Sequence, residues 1–303
     1  MSMKQTTLPD RTRFAVMVIV FTVFALSLGD ALIKNSSANL VLWQIFVLRS
    51  CLIIPLLFGI LRMKYSTVGI IPTAFIWTLI RSLMLSFMWV IYYAALPHLQ
   101  LSVAAAAYYT LPIFITLFSA LFVGEKVKPL GWLAVLLGFC GVGLILQPKA
   151  DDFNFYALLP LASAVLYALS MILTRTKCSN EHPLVLSLAL NISFVVVGLL
   201  APALLNFASF TPDAGSFLST SWVVLTQSDF MVLIVLAIAI LIGSIGAAIA
   251  YQIGRSSVIA TFDFAYVAFA VLWGVIFFGD IPDVTMLAGM MLIVVSGIMA
   301  VRQ

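Results

Sequence analysis

The chain has 303 residues, 64% of them hydrophobic and only 9% charged, with a mean hydropathy of +1.20. A soluble domain carries about 25% charged residues, so most of this surface faces lipid and the chain reads as an integral membrane protein. The formal charge of +4 and pI near 9.0 do not indicate a nucleic-acid partner. The basic residues stand in short clusters between apolar runs, where they orient a chain across a bilayer.

A helix needs about 20 apolar residues to cross roughly 30 Å of hydrocarbon, and within lipid it must satisfy its own backbone hydrogen bonds. Ten runs meet that requirement, approximately 14–34, 41–60, 70–95, 102–123, 129–147, 154–174, 183–207, 229–253, 257–278 and 284–301. The first follows Lys4, Arg11 and Arg13, like the core of a signal peptide. At about 20 residues it exceeds the roughly 7–15 of such a core, and Asp30 and Lys34 stand where a cleavage motif would begin, so it is expected to remain as a span. Connections are short and carry Pro97, Pro129, Pro148, Pro183 and Pro282, which predicts antiparallel neighbours. The stretch 207–228 is longer and rich in Ser and Thr, and leaves a short interfacial helix open. Cys51, Cys140 and Cys178 lack metal-ligand spacing and are expected to be buried small hydrophobes rather than disulfide or zinc residues.

With the N-terminus in the cytoplasm, Lys4, Arg11, Arg13, Arg62, Lys64, Lys126, Lys128, Arg175, Lys177, Arg255 and Arg302 fall on one side, eleven of the fifteen basic residues. Lys34 and Lys149 fall on the other, while Asp151, Asp152, Asp213, Asp229, Asp280 and Asp283 line the outer loops. That bias predicts an even number of spans with both termini cytoplasmic. A recurrence divides the chain. Shifting Ser102, Val103, Ala105, Leu117, Gly124 and Glu125 by 155 lands on Ser257, Val258, Ala260, Leu272, Gly279 and Asp280. Ala25-Leu26-Ser27 with Lys34 echoes Ala168-Leu169-Ser170 with Lys177. Two units follow, 1–148 and 149–303, each of five spans. An odd number inserts the second unit upside down, the inverted repeat that places solute at mid-membrane in many carriers.

The run from Tyr92 to Gln147, with its Tyr92-Tyr93 pair, Ser102-Val103-Ala104-Ala105, Pro112, Gly124-Glu125 and later glycines, resembles the EamA repeat of the drug/metabolite transporter superfamily. The resemblance extends over nearly the whole chain. Gly29-Asp30 with Lys34, Arg81, and Phe262-Asp263-Phe264-Ala265-Tyr266 resemble the group that includes S-adenosylmethionine carriers. The second repeat departs from the pattern, with Val267 where the first has Pro112, and Asp280 in place of the commoner glutamate. The resemblance implies a ten-helix solute carrier of the bacterial inner membrane, often an exporter or exchanger, with a cavity lined by spans one, three, four, six, eight and nine.

Charge within the spans is the strongest pointer to a site, because an ionised side chain at bilayer centre costs about 2.5–3.5 kcal/mol. Arg81 lies near the middle of span three, with Trp77, Met84, Met88 and Tyr92 on its face at helical spacing. It either holds an anionic solute group through its planar fork or pairs with Asp30 or Asp263 and joins the repeats. Asp263 lies two turns into span nine, with Tyr266 one turn on and Phe262, Phe269 and Trp273 nearby. A buried carboxylate takes a cationic group, a proton or a fixed partner. Asp30 has Lys34 one turn away, so a snorkelling pair and a site are both open. Arg49, in the outer half of span two, is expected to reach the headgroups and ranks below Arg81. Tyr108 and Tyr109 occupy the repeat positions of Asp263 and Phe264, which aims Tyr108 at the same cavity. Glu125 and Asp280 close spans on opposite sides and are expected to lock a helix end against the following turn. Gly243, Gly246, Ala247, Ala250 and Gly254 permit close helix approach.

The chain lacks a Walker A sequence, H-E-x-x-H and G-x-S-x-G, and its histidines, His98 and His182, fall on opposite faces. No cofactor, metal or enzymatic chemistry is therefore expected. The function predicted is a secondary carrier whose halves rock around a cavity containing aromatics and both signs of charge. Its solute is a small zwitterionic or cationic organic metabolite with a ring or apolar portion, amino-acid-like or S-adenosylmethionine-like. A proton or an exchanged solute drives it, in a monomer or homodimer. The rivals are an exporter of drugs or other amphipathic metabolites and, with no charged pore ring evident, a channel.

Overall fold

The computed structural model describes residues 11–36, 40–65, 69–95, 107–146, 156, 158–207, 217–279 and 283–301, and the elements below are those found among them. They are all helical: α1 Thr12–Ser36, α2 Leu42–Lys64, α3 Phe75–Ala95, α4 Leu111–Phe118 running into a π turn Ser119–Val123, α5 Pro129–Leu146, α6 Leu158–Thr176, α7 Pro183–Phe207, α8 Gln227–Ile253, α9 Ser256–Asp263, α10 Ala265–Phe278 and α11 Val284–Val301. Seven of the described stretches are long and apolar enough to cross a bilayer, with α9 and α10 together forming Ser256–Phe277. Leu111–Val123, Pro129–Leu144 and Leu287–Met299 are shorter apolar helices. The chain is a multi-pass membrane protein.

The buried interior is largely apolar, as in a water-soluble core, but it also holds charged side chains, and the outer surface is apolar too. Arg81 is 1% and Asp263 4% exposed, while Leu204 is 65% and Phe207 91% exposed. Lipid solvates the outer apolar faces, and polar groups gather inside, where partners exist. Cys51 and Cys140 follow the same rule. They were expected to be buried, but helical rotation turns both to the exposed face, and only Cys178 is buried. A free thiol is apolar enough to face acyl chains without cost.

The helix ends follow local chemistry. Pro112 lies in the first turn of α4, and Pro129 and Pro183 open α5 and α7, where a missing N–H is not needed. Thr226 caps α8, with Asp229 bonding back in a capping box, which satisfies two orphan donors. Gly124 ends the π turn at φ 74° and Gly279 ends α10 at φ 70°, the left-handed region that side chains avoid.

The most extensive helix contacts are α5 with α11, α1 with α8, α2 with α7 and α3 with α6; α1 also packs on α10, and α4 lies against both α6 and α9. Small residues allow two of the closest approaches. A Cβ added at Gly243 would stand 2.5 Å from Leu26, and one at Gly246 would collide with Thr22, so α8 accepts α1 only because these positions are bare. A Cβ at Gly141 would lie 2.7 Å from the Gly289 carbonyl oxygen, the same device between α5 and α11. Serine pairs join α3 to α7, Ser86 to Ser193 at 2.9 Å, and α7 to α8, Ser187 to Ser244 at 2.6 Å. Such interhelical bonds contribute about 0.6 kcal/mol each in a membrane.

The described part of the long loop, 217–226, carries no helix. It is pinned to the start of α2 by Leu42 N–H to the Phe217 carbonyl at 2.9 Å, by Trp43 Nε1 to the Leu218 carbonyl at 3.2 Å, and by the Gln44 amide, which both donates to and accepts from Val223.

Candidate solute-binding site

Asp30 near the end of α1 accepts a hydrogen bond from the Tyr266 hydroxyl of α10. The same two helices meet again where Trp273 Nε1 donates to Ser27 Oγ at 3.0 Å, and where Phe24 packs on Phe269 and Trp273 with ring centroids 5.1 Å apart in both cases. From Tyr266 the aromatic contacts continue to Tyr109 at 5.3 Å, Tyr108 at 5.8 Å, Tyr92 at 5.1 Å and Tyr93 at 5.7 Å, and Tyr93 stacks on Trp89 at 5.4 Å. This ring path connects α3, the lead into α4, and α10. Tyr108 also touches Tyr167 of α6 at 6.5 Å and donates weakly to Met88 Sδ at 3.8 Å.

Asp263 closes α9 and accepts from the Tyr251 hydroxyl of α8. Its neighbour Phe262 turns toward α11, where its Cε1 would lie 3.0 Å from a Cβ at Gly297. Arg81 is held from α6: its Nε donates to Thr174 Oγ1 at 2.5 Å, and the Thr174 hydroxyl in turn donates to the Ser170 carbonyl at 2.8 Å. The Arg81 Nη1 has no hydrogen-bond partner. The expected alternative, a pair between Arg81 and Asp30 or Asp263, is not formed. Each carboxylate is held by a tyrosine instead, because α6 brings Thr174 to the guanidinium.

The structure therefore gathers Asp30, Tyr266, Tyr108 and Tyr92 in one connected set, and holds Arg81 and Asp263 buried beside separate partners. Trp77 stands apart. It is 41% exposed, with Lys177 Nζ 5.3 Å from its ring centre, so its shared spacing with Arg81 does not give shared burial. Arg49 corrects an expectation. Rather than reaching the headgroups it is 5% exposed, its guanidinium carbon 4.5 Å from the Phe194 ring centre and 5.0 Å from that of Phe46. Cation–π attraction to these two rings is what holds the guanidinium among the helices. Arg49, Asp30, Tyr93 and Trp89 line one cavity with Leu236 and Ile240 of α8, with about 20 Å³ of water-sized space, room for roughly one water. Tyr251 was not singled out from sequence, and Tyr93 and Tyr109 were named only as the second members of the pairs with Tyr92 and Tyr108, without a place in the site. The side chain of Lys34, and residues 102–105 and 280, lie outside the described residues.

Two glutamates tie other elements together. Glu125 was expected to lock the following turn, but it reaches across to α9: Oε1 accepts from Ser256 N–H at 2.8 Å, and Oε2 from Ser257 N–H at 3.2 Å and Ser257 Oγ at 3.0 Å. The orphan donors of a helix start, with the positive end of its dipole, draw the carboxylate there. Glu181 Oε1 does the same for α3, accepting from Ala74 N–H at 2.6 Å and Thr73 Oγ1 at 2.5 Å. Beside it, Gln252 Nε2 donates to the Cys178 and Glu181 carbonyls at 2.7 and 2.8 Å, and Arg175 Nη1 donates to the Gln252 carbonyl at 2.6 Å. Burial pushes the Cys178 thiol in this loop up, so it stays a neutral thiol. Among the described residues no group of three or more His, Cys, Asp or Glu side chains is placed to hold a metal ion.

Chemically, a tyrosine hydroxyl on a carboxylate is a partner that an ammonium group or a proton can replace, and aromatic faces attract cations and flat apolar groups. Residues 13–147 match the EamA-like transporter family. The chain is 26% identical over 288 residues to the pseudopaline exporter CntI of Pseudomonas aeruginosa, spanning 95% of each protein. It is 31% identical over 188 residues to a riboflavin transporter of Vibrio cholerae, covering 62% of this chain and 58% of that one. A solved crystal structure shares the fold, with a TM-score of 0.77 at 20% identity, over 95% of this chain and 98% of the other.

Proposed function

We propose that this chain belongs to the EamA-like transporter family, whose pattern residues 13–147 match, and that it is a secondary carrier of the bacterial inner membrane. It moves a small zwitterionic or cationic organic metabolite, amino-acid-like or S-adenosylmethionine-like, by alternating access. The observation that carries this reading is the Asp30–Tyr266 bond. A carboxylate from the first half of the chain is capped by a removable donor from the second, within a tyrosine-lined interior. Movement of one half against the other must change that partner.

In this reading the chain consists of units 1–148 and 149–303, five spans each, inserted in opposite directions, with both termini cytoplasmic. The helix pairing supports it. Numbering the spans one to ten, the most extensive contacts are five with ten, one with eight, two with seven and three with six, and below them one with nine and four with six, a set unchanged when the halves are exchanged. Gly124 and Gly279, 155 residues apart, share the same left-handed helix stop. The proposed topology puts both glutamate latches on the cytoplasmic side, so the conformation described is one closed toward the cytoplasm. Likeness to the pseudopaline exporter over 95% of each chain favours export as the direction.

The test is efflux from proteoliposomes that hold the purified protein and a bacterial metabolite extract, with mass spectrometry of what leaves. Selective loss of a few small amino-bearing compounds is expected, abolished by Arg81→Ala and by Asp263→Asn. Full activity in both variants removes those two from the site, and unitary ionic currents would establish a channel instead.

A further inference from the structure

Arg49 carries an unmet hydrogen-bonding demand that nothing else in the site explains. It is 5% exposed, and its Nε and Nη2 find no acceptor. The rings that steady it, Phe46 and Phe194, pack on each other 4.7 Å apart, and they attract the cation without accepting its N–H bonds in plane. Nε and Nη2 share one edge of the guanidinium, and two parallel donors on one edge are the arrangement that receives both oxygens of a carboxylate. Arg81 differs, because its Nε is already engaged by Thr174.

The cavity beside Arg49 also contains Asp30, so one small space presents a cation and an anion. Its remaining wall is apolar, with Leu26, Ile33, Leu236 and Ile240, and Trp89 and Tyr93 supply flat faces. A buried guanidinium with two idle donors is costly to keep, and natural cores retain such a group where a ligand completes it.

We propose that Arg49 is the carboxylate anchor of the solute site: its Nε and Nη2 edge takes the carboxylate of an amino-acid-like zwitterion whose ammonium group displaces the Tyr266 hydroxyl at Asp30. This rests on the carrier reading above. The helices part by enough to admit the head group, since the space present in this conformation is that of about one water.

The test is thermal unfolding of the purified full-length protein against matched pairs: phenylalanine with phenylalaninamide, tryptophan with tryptophanamide, and histidine with histidinamide. In the parent protein at least one free acid is expected to stabilise at a concentration about tenfold below that needed for its amide, the worth of one charge-assisted hydrogen bond. Arg49→Met is expected to erase that preference while melting no lower than the parent, because it removes an unpaired buried charge. Asp30→Asn, a second variant that keeps the shape, is expected to weaken both members of the pair and preserve the preference for the acid. A parent that fails to discriminate any pair, a preference that survives Arg49→Met, or equal stabilisation by inorganic phosphate overturns the anchor. If Arg49→Met does not fold, loss of the preference in Asp30→Asn overturns it. Efflux that persists in the parent alongside any of these results leaves the carrier standing, whereas absence of efflux strikes the carrier itself.

Discussion

Tyr266 and Asp30, 236 positions apart in the chain, share a hydrogen bond in which the phenol donates and the carboxylate accepts. It links the last third of the molecule to the first helix, and it sits at the end of the path of rings running from Trp89. Tyr266→Phe keeps the ring and removes the donor, so the purified protein should lose roughly 1.5–3 kcal/mol of resistance to denaturation, the worth of a hydrogen bond to a charged group. Because Asp30→Asn removes the charge on the other side, the double variant should be less destabilised than the sum of the two singles. A double-mutant cycle by detergent titration checks this, and strict additivity would refute a direct bond.

The Glu125 latch makes a separate prediction. Its carboxylate serves two backbone donors and one hydroxyl at the start of α9. Glu125→Ala should cost about 1 kcal/mol, as the loss of a helix cap does, and Glu125→Gln less. On the carrier reading proposed above, the same change should shift the population away from the cytoplasm-closed state, raising the labelling rate, by a membrane-permeant maleimide, of a cysteine placed at Val258, which is buried and is not a latch donor. An unchanged rate would make the contact a stabiliser and not a gate.

Thr174 supports Arg81 through Nε, so Thr174→Val should mimic Arg81→Met. Efflux should fall about tenfold or more in both, the kinetic equivalent of a lost charge-assisted bond, and Thr174→Ser should restore it. Trp77→Ala, at a position 41% exposed, should leave efflux near the parent level in the same vesicles.

Packing gives a stability contrast. Gly246→Val drives a side chain into Thr22 where α1 meets α8, and overpacking of this kind costs about 1–3 kcal/mol or misassembles the bundle. Gly59→Ala meets nothing within 4 Å, and in a helix interior it should stabilise by about 0.5–1 kcal/mol. Melting temperatures of the two purified variants should move in opposite directions.

The helices themselves were legible in the amino-acid order, because bilayer thickness imposes a length and lipid forbids exposed backbone. The apolar runs 183–207 and 284–301 coincide with helices Pro183–Phe207 and Val284–Val301. Asp30, Arg81 and Asp263 were also visible, since a charge within a hydrophobic run is expensive and rarely idle. Their partners were not. Thr174, Tyr251 and Tyr266 lie 93, 12 and 236 residues from the groups they bind, and only packing sets which faces meet. Arg49 shows the limit most clearly. Its position in span two permits a stem stretched toward headgroups, and the decision against that came from Phe194 on α7, a ring 145 places further along that captures the cation within the bundle. A one-dimensional pattern determines which segments enter lipid, because that depends on local hydropathy. The rotation of each helix, and therefore the company each buried charge keeps, depends on contacts between segments that close only when the bundle assembles.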